Sequence, residues 1–171
     1  MELEKSVEAA RQFQMTFRLI DDVLSVDNVA MTDAVKSHSE AGGMYPPELT
    51  LNTTSVSPSE VEFLGMRIQT DTRRFRLSVY DKRKSFPFSV RRYPMMSSLI
   101  PSNMLTGVFL GILHRGYRIC SGVEDFMAYA IDVACTLRGN GCSLLKLRRA
   151  FNSFVSEHVR KYRGSRGLPW L

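Results

Sequence analysis

The sequence predicts an α+β protein in which an antiparallel sheet with one or two helices is followed by a bundle of three helices. Two observations predict this order. Up to about residue 80, apolar and polar residues alternate in short runs between turn residues, which is typical of antiparallel strands. After about residue 102, apolar residues recur every three or four positions, which is typical of helices that bury one face.

The first part contains a predicted hairpin. Met15, Phe17 and Leu19 alternate with polar residues over 14–20, and residues 23–26 form the partner strand, so Asp21 and Asp22 lie at or beside the tip. Further elements are expected on both sides of this hairpin: a helix over 3–13, a helix over 29–37 that begins after Asp27 or Asn28, a strand over 49–53, and an antiparallel strand pair over 61–69 and 74–80.

The second part is predicted to be helical over 102–116, 121–137 and 143–162. Ser121 and Glu124 have the spacing of a capping box, in which the two side chains accept hydrogen bonds from backbone N–H groups at the start of a helix. Gly139 and Gly141 break the pattern before the last helix. Residues 81–101 are expected to link the two parts, and residues 164–171 to form a tail.

Charge is divided unequally along the chain. Residues 1–66 contain four Lys or Arg and eleven Asp or Glu, a net charge of −7, whereas residues 67–171 contain nineteen and six, a net charge of +13. A basic surface of this size attracts polyanions, so we expect the second part to meet nucleic acid rather than only solvent.

The three cysteines, Cys120, Cys135 and Cys142, are an odd number without metal-ligand spacing. They are therefore expected to be reduced, buried thiols of an intracellular protein, nuclear or cytoplasmic and not secreted. The first residues have no apolar signal core, and the chain has no apolar run long enough to cross a membrane.

The adjacent carboxylates of Asp21 and Asp22 repel each other at a hairpin tip. A divalent cation removes this repulsion, and Mg²⁺ in proteins is commonly held by one or two carboxylates together with substrate phosphates. An acidic surface turn is the alternative for such a pair alone. The apolar strands on both sides, which hold the carboxylates rigidly, favour a magnesium site.

The segment FRLIDDVLSV at 17–26 resembles the catalytic hairpin of reverse transcriptases. The resemblance continues in order through five further segments: YPPELTLNTT at 45–54, VEFLGMRI at 61–68, SVYDKRKSFPF at 78–88, YPMMSSLIPS at 93–102 and HRGYRICSGVEDF at 114–126. It covers residues 15–155 and is nearest to the reverse transcriptases of eukaryotic retroelements, Penelope-like or related. It implies a partial polymerase palm over 1–80, a link over 81–101 and a basic three-helix thumb over 102–163.

The resemblance also implies site residues. Asp21 would be a direct ligand of Mg²⁺ and Asp22 its neighbour, in a catalytic site that holds two ions in an intact polymerase. Phe63, Leu64 and Gly65 would form the turn that grips the primer. The backbone of an RNA template or an RNA/DNA hybrid would lie along eight cations: Lys82, Arg83, Arg91, Arg92, Arg115, Arg118, Arg148 and Arg149.

The chain departs from the family at two points. Leu19 stands where the family usually has Tyr beside the primer end. In addition, palm polymerases use an aspartate from an earlier strand, and the residues before this hairpin offer only Glu2, Glu4 and Glu8 in a predicted helix. A two-metal site with one carboxylate strand missing does not hold both ions. The isolated chain is therefore expected to be inactive as an RNA-directed DNA polymerase.

Three interpretations stay open at this point. The chain is the C-terminal palm and thumb of a reverse transcriptase, or a co-opted fragment that binds RNA or protein in a ribonucleoprotein without catalysis, or a relic without function. In each case the truncated palm sheet has an open edge, which a protein partner would cover.

Overall fold

The structure is a computed structural model that describes residues 10–11, 13–28, 31, 52–55, 57–71, 74–101 and 103–162. It shows an α+β protein, as the sequence predicts, and the residues it describes include two small antiparallel sheets and three helices. The chain divides into two compact units, residues 1–55 and residues 56–171. Within the described ranges, no helix combines the length and the apolar character that a membrane span requires.

The first unit contains the predicted hairpin. Strand β1 (Thr16–Leu19) pairs antiparallel with β2 (Asp22–Ser25), with Leu19 opposite Asp22. At the open end, the hydroxyl groups of Thr16 and Ser25 are 2.8 Å apart. Most residues of the expected helices over 3–13 and 29–37 lie outside the described residues. The described residues 52–55, at the end of the expected strand over 49–53, have no regular structure.

The second unit begins with a three-stranded sheet in the order β3–β4–β5. These strands are Glu60–Phe63, Met66–Asp71 and Arg74–Val79. The predicted pairing of the last two is confirmed, with Asp71 opposite Arg74. The prediction of one continuous strand over 61–69 is wrong, because the chain turns at Leu64 and Gly65. Leu64 is not a usual turn residue, and this hid the turn from the pattern.

The three helices of the second unit are α1 (Met104–Ile119), α2 (Val123–Gly139) and α3 (Leu144–Tyr162). Each lies close to its predicted span. Their facing sides form the core, in which the largest fully buried side chains are Phe109, Leu105, Leu113, Leu137 and Leu147. Two of the three cysteines, Cys120 and Cys142, are buried as expected, whereas Cys135 is exposed on α2.

Ser121 does not cap α2 as predicted. The cap position is Gly122, and no side chain caps the helix. The Ser121 hydroxyl instead accepts a hydrogen bond from the backbone N–H of Leu77 at 2.9 Å. The Ser121 N–H donates a hydrogen bond to the Leu77 carbonyl, also at 2.9 Å. Ser121 therefore joins the free edge of β5 to the helices.

The linking segment packs on the helices rather than standing apart from them. Its Tyr93 is a buried core residue. The Asn140 side chain donates to the Tyr93 carbonyl at 3.0 Å, and the Met96 N–H donates to the Asn140 carbonyl at 2.9 Å. Arg76 on β5 adds an ion pair to Asp125 on α2, with 2.8 Å between Nε and Oδ2. Sheet, link and helices of the second unit form one packed body.

Candidate magnesium hairpin and nucleic-acid interface

The carboxylates of Asp21 and Asp22 lie at the tip of the first hairpin, as predicted. Ile20 and Asp21 form its two-residue turn, and Asp22 opens β2 opposite Leu19. All four side chains are exposed. Because side chains directly opposite each other share a face of a pair of strands, Asp22 lies on the same face as Leu19.

The backbone of this tip is strained. Ile20 has a φ of 56°, a left-handed conformation that a β-branched residue rarely adopts. The Arg18 side chain stabilises the turn, since its Nε donates to the Ile20 carbonyl at 2.9 Å. Residues held in such conformations cluster at functional sites, where the strain places neighbouring groups.

The two aspartates are an incomplete ligand set by themselves. Across the described ranges, no group of three or more His, Cys, Asp or Glu side chains is placed to hold a metal ion. Hard carboxylate oxygens nevertheless fit Mg²⁺, which keeps several waters and commonly takes its other ligands from substrate phosphates. The hairpin can therefore supply two oxygens to an ion that a nucleotide or a further strand helps to bind.

The second candidate feature is the turn between β3 and β4. Leu64 and Gly65 have φ values of 50° and 74°, the sign pattern of a type I′ hairpin turn, for which Asn-Gly is the preferred sequence. A bulky Leu in the left-handed region costs roughly 1–2 kcal/mol. The Gly65 carbonyl is held from the end of β5 by the Tyr80 N–H at 3.0 Å.

Arg115 of α1 lies directly against this turn. A Cβ built on Gly65 would be 2.5 Å from Nη2 of Arg115, so a side chain at this position would displace the guanidinium from where it lies. One turn further along α1, Arg118 is exposed. A surface groove of about 550 Å³ is lined by five residues of this helix: Gly111, His114, Arg115, Arg118 and Ile119. The structure thus brings the predicted primer-grip turn and two predicted phosphate-binding cations together.

Two other predicted cations, Arg83 and Arg92, surround Asp81. The Arg83 guanidinium donates to both Asp81 carboxylate oxygens, at 2.8 Å for its Nε. Burial raises the pKa of Asp81, but the hydrogen bonds from Arg83 and the charges of Arg83 and Arg92 more than offset this, so its pKa lies below the ordinary value of 3.8. The hydrogen bond to Asp81 in turn raises the pKa of Arg83. Asp81 therefore balances much of the charge that Arg83 would offer to a phosphate.

The remaining predicted cations are exposed. Lys82 lies in the 3-10 helix Lys82–Ser85, which Asp81 caps. Arg91 follows it in the link, with Nη1 2.7 Å from the Met95 sulfur. Arg148 and Arg149 lie in the first turns of α3 and do not line the groove on α1.

Aromatic residues near these cations divide into two groups. Tyr93 is buried, with the Arg92 guanidinium 5.3 Å from its ring centre. Phe86 and Phe88 are exposed and stack on each other, with 5.2 Å between ring centres and 8° between planes. Exposed stacked rings in a basic segment are a suitable platform for a base or a sugar.

Sequence reasoning missed two residues that organise this surface. Asp81 holds Arg83 and Arg92 in place. The sequence feature that could have identified it is a single acidic residue at the start of the run DKRK. Gly111 lines the groove and has open space beside it, since a Cβ there would meet nothing within 4 Å. Its signal was the spacing of four residues to Arg115 within a predicted helix.

The chain was compared with known proteins. It matches no protein-family model, no curated protein and no solved structure.

Proposed function

We propose that this chain is the C-terminal palm and thumb portion of a retroelement reverse transcriptase, and that its second unit binds the backbone of an RNA template or an RNA/DNA hybrid. The first unit would contribute Asp21 and Asp22 to a magnesium site for RNA-directed DNA synthesis. The ordered series of sequence motifs supports this family, and the net charge of +13 over residues 67–171 supports the ligand.

The observation on which the proposal depends is the contact between Arg115 and the Leu64–Gly65 turn. It is supported by three features of one surface: a turn held by Tyr80, a glycine in close contact with a guanidinium, and an open groove lined by a second arginine. Ion pairing to phosphates of this kind supplies affinity and position without base selectivity, as a polymerase that copies any template requires.

Phosphate contact is tested by hybrid binding at increasing salt. Replacing Arg118 with Gln should lower affinity and reduce the slope of log affinity against log salt by about one, because about one counterion fewer is released per lost contact. Arg74→Gln is the matched control, since Arg74 is an exposed cation at the opposite end of the β4–β5 ladder. Fluorescence anisotropy with a labelled hybrid measures both variants.

An equal loss in both variants would show that net charge alone binds the hybrid, and would contradict a role for the groove. No detectable binding at low salt would contradict the proposal as a whole.

The catalytic part needs a different measurement. In a longer product that contains the additional carboxylate strand, Asp21→Asn should abolish primer extension while hybrid affinity is retained, because a lost metal ligand prevents two-metal chemistry. Unchanged extension would contradict the assignment of Asp21. The 171-residue chain alone is expected to bind hybrid without extending it.

A second candidate function is a co-opted fragment that binds RNA or protein without catalysis. The replacement of the usual Tyr by Leu19 favours it. It predicts salt-sensitive RNA binding that survives the double substitution Asp21→Asn/Asp22→Asn and falls in Arg91→Gln/Arg92→Gln. Detection of primer extension by any longer natural product would decide for the enzyme.

A further inference from the structure

Helix α2 differs in charge from the rest of the second unit. Residues 67–171 contain six acidic residues, and three of them, Glu124, Asp125 and Asp132, lie in α2, where Arg138 is the single basic residue. Such a surface attracts a nucleic acid less than the groove on α1, which is lined by two arginines. The exposed side of α2 is therefore considered separately from that groove.

The exposed side of α2 has the spacing of a helix-pairing seam. Phe126, Ala130, Val133 and Leu137 face the core. On the opposite side, exposed residues follow at intervals of four, three, four and three: Glu124, Ala128, Ile131, Cys135 and Arg138. Ile131 is 56% exposed in the middle of this seam, beside the exposed Met127. The alternation of four- and three-residue intervals is that of the core positions, a and d, in helices that pack along their length.

The acids of α2 divide between the two sides. Asp125 is paired with Arg76, and Asp132 with Lys84, with 3.0 Å between Lys84 Nζ and Asp132 Oδ2. The pKa of Arg76 is raised by its hydrogen bond to Asp125 and, to a lesser extent, by the charge of Glu124. Among the residues that the structure describes, Glu124 and Arg138 are nevertheless in no direct ion pair. These two opposite charges stand at the two ends of the seam, seven residues before and seven after Ile131.

We propose that the seam of α2 is a homodimer interface, in which two copies of the chain pair their α2 helices antiparallel with Ile131 on the two-fold axis. Residue 131 is the midpoint of 124 and 138, so each Glu124 lies opposite Arg138 of the second copy. A two-fold interface requires a patch that is complementary to itself, and this charge pattern meets that requirement.

The apolar residues obey the same symmetry. Residue 131 is also the midpoint of 127 and 135, so Met127 lies opposite Cys135 of the second copy. Ala128 and Cys135 are small, which allows the two helix axes to approach to the 8–10 Å usual for packed helices. In this dimer, each copy covers the exposed apolar residues around Ile131 of the other, and Glu124 and Arg138 form ion pairs at the two ends.

The dimer is expected to be weak. One pair of helices of this length buries an area at the small end of protein interfaces, where association is transient. We therefore expect a concentration-dependent monomer–dimer equilibrium in the range of tens to hundreds of micromolar, measured by sedimentation equilibrium with the full chain.

Charge reversal tests the orientation of the helices. Glu124→Lys places two cations opposite each other at both ends of the dimer and should raise the dissociation constant about tenfold, and Arg138→Glu should do the same with two anions. The double variant Glu124→Lys/Arg138→Glu exchanges the charges and should restore wild-type association. Failure of the double variant to recover, with both single variants impaired, would overturn the antiparallel arrangement.

A disulfide tests the register. Met127→Cys should form a disulfide to the native Cys135 of a second copy under mild oxidation, giving a covalent dimer on a non-reducing gel. The two residues are eight positions apart in one helix, about 12 Å, which is too far for a bridge within the chain. Val123→Cys is the matched control, because Val123 is also exposed on α2, at 43% against 36% for Met127, but is not symmetric with Cys135 about Ile131.

Three results would overturn the proposal. These are a chain that stays monomeric at the highest soluble concentration, a dissociation constant unchanged by Glu124→Lys, and cross-linking of Met127→Cys no faster than that of Val123→Cys. The last two would assign any dimer to another surface of the molecule.

Discussion

The hairpins β1–β2 and β3–β4 are built alike at their tips and differently below them. Each has a two-residue turn in which a bulky aliphatic residue, Ile20 or Leu64, has a positive φ. The turn at Leu64 is held by Tyr80 and Arg115 and continues into a third strand that packs on the helices. The hairpin at Ile20 consists of two strands among the described residues, with Phe17, Leu19 and Ile20 exposed.

The comparison shows that the same local strain needs different support. An isolated two-stranded hairpin is marginally stable in water, because it buries too little apolar surface to offset the lost chain entropy. The second unit supports its turn internally. The first hairpin is expected to gain its rigidity from surfaces beyond its own two strands, as a palm sheet would provide.

Removal of a core side chain should have the largest effect. Leu113 is 0% exposed, so Leu113→Ala should lower the free energy of unfolding of the second unit by about 2–5 kcal/mol through lost burial and a cavity. Phe17 is 49% exposed, and Phe17→Ala should change stability by no more than about 0.5 kcal/mol. Urea denaturation, with hydrogen exchange to localise the change, measures both. A large loss in Phe17→Ala would show that the first hairpin is packed against a partner surface.

Gly65→Ala should have the next largest effect. The positive φ of Gly65 makes any side chain costly, by about 1 kcal/mol or more, and the added Cβ displaces the Arg115 guanidinium, so hybrid affinity should also fall. Gly107→Ala is the control in α1, where a Cβ meets nothing within 4 Å. Since alanine favours a helix interior, that variant should gain up to about 1 kcal/mol. Equal stability in the two variants would contradict the tight fit at Gly65.

Relief of strain at the tips should have a smaller and opposite effect. Leu64→Asn creates the preferred Asn-Gly turn and should raise the free energy of unfolding by up to about 1 kcal/mol. Ile20→Gly should slow amide exchange in β1 and β2 for the same reason. A destabilised Leu64→Asn variant would show that packing of the Leu64 side chain outweighs its backbone strain.

The smallest effect is expected at acid pH. Because the pKa of Asp81 lies below its ordinary value of 3.8 in the folded chain, its contribution to stability is present above that value and is lost as pH falls through the lower, folded pKa. Asp81→Asn should therefore reduce the dependence of stability on pH below about pH 4. Unfolding midpoints at neutral and acid pH measure this. If Asp81→Asn lost as much stability at acid pH as the wild type does, the ion pairs of Asp81 would have no net effect on the stability of the folded state.

The predictable parts of the molecule are those in which one pattern decides the structure. Helical spacing located α1, α2 and α3, and the alternation around Asp21 and Asp22 located the first hairpin. The strand pattern alone missed the turn at Leu64, because its conformation opposes the preference of the residue, whereas the resemblance implied a turn there. The capping box predicted at Ser121 is wrong because the edge of β5 takes its hydroxyl group. Cys135 is exposed because it lies on the side of α2 opposite the core. Only the difference at Ser121 arises from a contact between residues far apart in the chain.

Ser121 has a consequence for how the second unit behaves in a crowded solution. By exchanging hydrogen bonds with Leu77, it occupies the outer edge of β5 where a foreign strand would otherwise add. The opposite edge, β3, carries Glu60 and Glu62, both of which are tied to Arg67. Addition of a foreign strand is thereby disfavoured at both edges of this sheet. The hydrogen bonds of Ser121 occupy one edge, and the ion-paired glutamates lie on the other.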